Sequence, residues 1–171
     1  MLNFSSKLNT IANNTDSYLK SFFLKQDSNS YLIKPMRYSI FSGGKRFRSA
    51  IVVNTGKVFG VDYKKLIIIG SAIECIHSYS LIHDDLPSMD NDDLRRGKPS
   101  LHRKFNEFTA ILAGNSLLTL AFEILSGDDL KLSNENKNKL IKTLSECSGH
   151  AGLAGGQYSD LTFENKNISK R

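Results

Sequence analysis

The chain has 171 residues, of which 40% are hydrophobic and 23% charged, with 12 Gly and 3 Pro. With roughly 100–200 residues per domain as the norm, one core is expected, and collagen-like, low-complexity and disordered classes are excluded. The 23 Lys+Arg against 17 Asp+Glu give +6, a bias towards anionic partners that does not choose among nucleic acid, lipid headgroups and phosphorylated small molecules. Cys75 and Cys147 lie far apart without CxxC or Cys/His ligand spacing, which suits reduced thiols in a cytoplasm better than a disulfide framework or a zinc site.

Residues 1–23 mix apolar side chains with Asn, Ser, Thr and Lys and lack the continuous apolar stretch of a signal peptide. Leu8, Ile11, Tyr18, Leu19, Phe22 and Phe23 recur at near-helical spacing. The windows 66–82 and 110–125 are the most apolar, but Glu74 and His77 interrupt the first and Asn115 and Glu123 the second. Neither reaches the ~20 apolar residues of a bilayer span, so both are predicted as core helices. Leu140, Ile141 and Leu144 return to helical spacing later. Breaks are predicted at Ser42-Gly43-Gly44, Pro87, Gly97-Lys98-Pro99, Gly127-Asp128-Asp129 and the polar run 133–139. No strict alternation, internal repeat or linker competes, so the expectation is an all-α chain of about six helices. Residues 162–171 are polar and end without a recognisable helix to close a core.

The segment from His83 to Asp93 carries five carboxylates in ten positions, Asp84, Asp85, Asp90, Asp92 and Asp93. Acids this close repel unless solvated, protonated or bridged by cations, and several oxygen donors suit a hard ion such as Mg²⁺. An acidic run taken alone is more often a solvated loop. This one follows directly on the apolar window, so its carboxylates end a buried helix. On an unbroken helix Asp84 and Asp90 would stand about 120° apart; Pro87 lets the chain bend and brings Asp90 back. His77 is two turns before Asp84 on the same face, open both to a ligand role and to a structural one.

The sign then reverses in Arg95-Arg96-Gly97-Lys98 and His102-Arg103-Lys104. This is either a solvated basic loop or, with the acids, a diphosphate clamp, since Arg grips phosphate bidentately and Mg²⁺ binds through carboxylates plus phosphates. Gly43-Gly44-Lys45-Arg46-Phe47-Arg48 is a weaker candidate in which Lys45 and Arg48 are expected to share a helical face; it is no Walker loop. No Ser/His/Asp or Cys/His arrangement has a defensible spacing.

Together, Gly43-Gly44-Lys45-Arg46-x-Arg48, the stretch from Glu74 through His83-Asp84-Asp85-Leu86-Pro87-Ser88-Met89-Asp90, and Asp93-Leu94-Arg95-Arg96-Gly97-Lys98-Pro99 resemble the trans-prenyltransferases, the polyprenyl diphosphate synthases. Leu112-Ala113-Gly114-Asn115 and Gly155-Gly156-Gln157-Tyr158-Ser159-Asp160 extend the likeness. Four residues between the aspartate pair and the last aspartate resemble the bacterial farnesyl diphosphate synthases. The resemblance implies the isoprenoid-synthase helical fold, represented by its N-terminal part in one incomplete domain, 1–171. It implies a short-chain prenyltransferase of isoprenoid biosynthesis that condenses isopentenyl diphosphate with dimethylallyl or geranyl diphosphate to farnesyl diphosphate. Geranyl or geranylgeranyl diphosphate are alternative products. It further implies that Lys45, Arg48, His77 and Arg96 hold isopentenyl diphosphate, that Arg95 holds the allylic diphosphate, and that Asp84 and Asp90 ligate Mg²⁺ with Asp85 in support. Gln157 and Asp160 would lie near the reacting prenyl groups. Tyr79 and Ser80 match the positions that set product length, although core packing alone would account for Tyr79. The complete enzyme would be a homodimer in the cytoplasm, with no nucleic acid and no membrane span.

Ser49 stands where that family usually carries Pro, and Asn115 where Asp is usual. Neither a second aspartate-rich motif nor the Lys-Thr element before it is found; Asp128-Asp129 continues as Leu130-Lys131-Leu132. The expectation is weak or absent turnover by this chain alone, with a non-catalytic diphosphate- or partner-binding half-synthase as the rival.

Overall fold

A computed structural model describes residues 3–26 and 30–164. The described residues fall into two compact units that divide between Leu132 and Ser133.

In the first unit, α1 (Phe4–Leu24) starts behind Asn3, whose side chain accepts the Ser5 N–H. It buries Ile11, Thr15, Leu19 and Phe23, four residues apart on one stripe. The short α2 (Ile33–Ile40) and α3 (Phe47–Val58) follow. Helix α4 (Tyr63–Asp84) is capped by Asp62, whose carboxylate accepts the Lys65 N–H, and 11 of its 22 residues are buried. Nearly apolar all round, α4 forms the centre, packing against α1, α2, α3 and α6 (Glu107–Ser126). The cluster Ile11, Ala50, Val53, Leu66 and Ile67 joins α1, α3 and α4, and each large aliphatic side chain so buried contributes about 1.5–3 kcal/mol. By length and composition alone α4 and α6 could span a membrane, but 61% of the α4 window and 44% of the α6 window is buried inside the protein, the surroundings of core helices.

Between α4 and α6 lie the two-residue strands β1 (Leu94–Arg95) and β2 (Lys98–Pro99), paired antiparallel, and the single turn α5 (Leu101–Lys104). Arg96 and Gly97 both have positive φ, 55° and 75°, the signature of a two-residue type I′ hairpin. The sequence predicts no strand here, and two residues a side are too few to show alternation. A 3₁₀ turn (Asp128–Leu130) closes the unit.

The second unit comprises α7 (Asn134–Ser148) and α8 (Leu153–Phe163). The polar run 133–139, expected as a break, is instead the start of α7. Ser133 accepts the Asn136 N–H and Glu135 pairs with Lys139 one turn on, so the Ser/Asn/Glu composition that reads as loop is here capping chemistry. Eight α-helices among the described residues replace the expected six. The helix α8 reaches into the polar tail at 162–171, whose residues 165–171 lie outside the described ones.

Candidate functional site

Helix α4 stops at Asp84 because Pro87 supplies no amide and turns Leu86 out of helical backbone. The chain then coils tightly: the amides of Met89 and Asn91 donate to Leu86 O, and the Asp90 amide donates to Asp84 O at 2.9 Å. The bend therefore does what the spacing requires, returning Asp90 to the backbone of Asp84. Asp84 is half-buried and Asp90 exposed. Asp85 points elsewhere. It is 2% exposed and accepts from Arg95 Nε at 2.8 Å and from the same guanidinium's Nη2. Burial pushes the Asp85 carboxyl up in spite of that bond, while the bond pushes the Arg95 guanidinium up. Arg95 also pairs with Asp92 at 3.2 Å, and Arg103 with Asp93 at 2.7 Å, so with Asp85 three of the five acids pin the basic hairpin and its flank to the aspartate turn.

Asp84 and Asp90 carry hard oxygen donors, and Asp85 is bound to Arg95. Among the described residues no three His, Cys, Asp or Glu side chains converge as a metal cage. A pair suits Mg²⁺, which is usually bound by one or two carboxylates plus substrate phosphates and water.

Beside this turn the positive groups gather. On the hairpin, Arg96 donates to Gly43 O in the loop before α3. Arg48 lies in the first turn of α3, whereas Lys45 precedes the helix, so these two do not share a helical face as the sequence suggests; both are exposed. The reason is Arg46, which takes a left-handed conformation at the start of α3 and turns its side chain inward. The Arg46 guanidinium is buried between Asp16 (2.7 Å) and Glu74 (3.7 Å) and donates to Ile40 O. Ser49 joins this network: its N–H donates to Glu74 Oε1 at 3.1 Å and its hydroxyl bonds Thr15 at 2.7 Å, a use of the amide that a proline could not make.

His77 shares a half-buried α4 face with Ile69, Ile73, Ser80 and Asp84, spaced four, four, three and four residues apart. Burial, then Arg48, Arg96, Arg46 and Arg95, push its imidazole down to about 4, so the ring is neutral near pH 7. A cavity of about 20 Å³ lined by Ser42, Ser78, Asp85, Arg95, Arg96 and Ser100 lies where α2, α4 and the hairpin meet.

Tyr79 is half-buried, packed edge-on against His83 with ring centroids 4.7 Å apart. His83 is itself held by Ile111 O at 3.2 Å and lies against Gly114 of α6, where a side chain would collide with its ring. Ser80 donates to His77 O at 3.0 Å. In the second unit Gln157 is half-buried and Asp160 exposed, both on α8.

Sequence reading missed Arg46, Asp16 and Glu74 as an anchoring network and Asp92 and Asp93 as partners for Arg95 and Arg103. A lone acid inside an apolar window, Glu74, was the available signal.

The chain and its fold are similar to those of known proteins. The polyprenyl synthetase family model matches residues 29–171. The chain is similar to farnesyl diphosphate synthases of Buchnera aphidicola (51% identical, covering 82% of this chain and 50% of that protein) and Haemophilus influenzae (44%, covering 99% and 57%). It is also similar to the solved structure of a geranyltransferase from Legionella pneumophila, with TM-score 0.90 and 37% identity over 95% of this chain and 58% of that one. The chain spans about half the length of the synthases it matches.

Proposed function

Since the chain belongs to the polyprenyl synthetase family, we propose that it carries the N-terminal substrate-binding part of a short-chain trans-prenyltransferase. In this reading 1–171 is part of one synthase domain, at work in the cytoplasm and paired with a second copy in the complete enzyme. Isopentenyl diphosphate condenses with an allylic diphosphate, and farnesyl diphosphate is the product. Names among the matches also include a geranylgeranyl pyrophosphate synthase, so geranylgeranyl diphosphate is the alternative product.

The observation that carries this reading is the turn joining Asp90 to Asp84, directly beside a hairpin whose Arg95 and Arg96 are held by separate partners. Asp84 and Asp90 would hold Mg²⁺, which when bound would supply charge neutralisation for a departing diphosphate. Arg95, pinned by Asp85, faces the allylic diphosphate and stabilises the negative charge that grows as the carbon–oxygen bond breaks. Lys45, Arg48 and Arg96, with neutral His77 donating a ring N–H, grip the diphosphate of isopentenyl diphosphate. Tyr79 with Ser80 sets product length. An apolar cavity keeps water away from the allylic cation. No protein nucleophile is needed.

Calorimetry with geranyl diphosphate tests this. We expect binding that requires Mg²⁺ and weakens about tenfold or more in Asp84→Ala, as for loss of a charge-assisted contact. Equal binding without metal, or no loss in that variant, would overturn the assignment.

A further inference from the structure

The geometry points to Gly44 as a positioning residue for Arg96: its bare α-carbon is the seat on which that guanidinium rests while Gly43 O holds it. The inference rests on the reading that Arg96 grips isopentenyl diphosphate.

Arg96 is at the tip of the type I′ hairpin, at φ 55°, a conformation costly for a residue with a Cβ. From there it reaches to the loop before α3 and donates to Gly43 O. A Cβ on Gly44 would stand 2.7 Å from Arg96 Nη1, 2.9 Å from Cζ and 3.0 Å from Nη2, whereas one on Gly43 would meet nothing within 4 Å. The guanidinium thus lies across Gly44 at a distance only glycine permits. Something must hold it there. Partial burial and then Arg46, Arg95 and Arg48 disfavour its charge there, with Glu74 the opposing attraction, and the residue is otherwise exposed. With the carbonyl and the hollow in place it is pre-set, and a ligand need not restrict it on binding.

The two glycines form a matched pair. Both have φ well into the positive region, 109° and 123°, so alanine strains the backbone at either. Only at 44 does the methyl also displace Arg96, and a flexible side chain yields easily. The substitution should therefore register in binding more than in stability. With isopentenyl diphosphate as calorimetric probe in metal-free buffer, we expect Arg96→Ala to weaken binding about tenfold. Gly44→Ala should weaken it about fivefold more than Gly43→Ala does, the two variants melting alike, and should add nothing in an Arg96→Ala background. Equal losses at 43 and 44, or a further loss in the double variant, would overturn the seat while leaving the function standing. No loss in Arg96→Ala would overturn the reading of Arg96 and the seat with it. Should Gly44→Ala not fold, the amide resonance of Gly44 still decides. It follows the Gly43 carbonyl and must shift in Arg96→Ala; an unmoved resonance would refute the contact.

Discussion

His77 sits half-buried on α4 among Arg48, Arg96, Arg46 and Arg95, and burial ahead of those charges pushes its imidazole from the ordinary 6.5 down to about 4. The unfolded chain takes up this proton on passing below 6.5, the folded one only near 4. Between those values the unfolded state binds more protons, so stability rises with pH through the window and is lost on acidification. Above 6.5 the contribution is fully present. His77→Gln keeps a neutral donor of similar reach without the titration. Urea midpoints at pH 7.5 and 4.5 should then fall less in the variant than in the parent protein, the carboxylates contributing alike to both. Equal falls would mean that burial and the guanidiniums together do not hold this ring neutral. The residue spacing showed that His77 and Asp84 share a face. It could not show the positive surroundings, because Arg46, Arg48, Arg95 and Arg96 arrive from two other parts of the chain.

At the level of elements, the network around Arg46 ties α1, α3 and α4 together through Asp16, Glu74 and Ser49 and reaches the end of α2 at Ile40 O. Side chains of Arg46 and Glu74 are each 3% exposed. Glu74→Ala leaves the guanidinium with one acid and strands the Ser49 N–H, a loss of about 3–5 kcal/mol, as for removing one partner of a buried pair. Urea unfolding reads it; a loss under about 1 kcal/mol would show the pair to be replaceable. Because this network fixes the start of α3, the variant should also displace Arg48 and weaken isopentenyl diphosphate binding. The core helices themselves were legible: α4 and α6 follow the apolar windows, and the breaks at Gly43-Gly44, Pro87 and Gly97 hold. The hairpin and the first turns of α7 were not, since a type I′ turn leaves only a Gly in the sequence and a polar N-cap looks like a loop. The inward turn of Arg46 was equally hidden, because its cause is an acid on another helix.

For the molecule as a whole, the charge of +6 allows a duller explanation of any affinity for diphosphates, namely attraction of a basic protein to any polyanion. The two explanations differ in how ligands combine. General attraction needs no metal, is screened by salt and is untouched by loss of one acid; divalent cations compete with it. A site built from Asp84, Asp90 and the neighbouring guanidiniums needs metal and diphosphate together. The aspartate turn, the hairpin and the loop before α3 all belong to the unit that ends at Leu132, so it is that unit's melting that should respond. At about 100 times Kd, ligand binding adds about 2.7 kcal/mol. At roughly 3–5 °C per kcal/mol for a unit of this size, this corresponds to a rise of about 8–14 °C. Mg²⁺ alone should give little, inorganic diphosphate alone only the part that the Lys45, Arg48, His77 and Arg96 grip supplies, and the pair together a further rise that vanishes in Asp84→Ala/Asp90→Ala. A rise that diphosphate produces unaided and Mg²⁺ diminishes would assign the affinity to net charge.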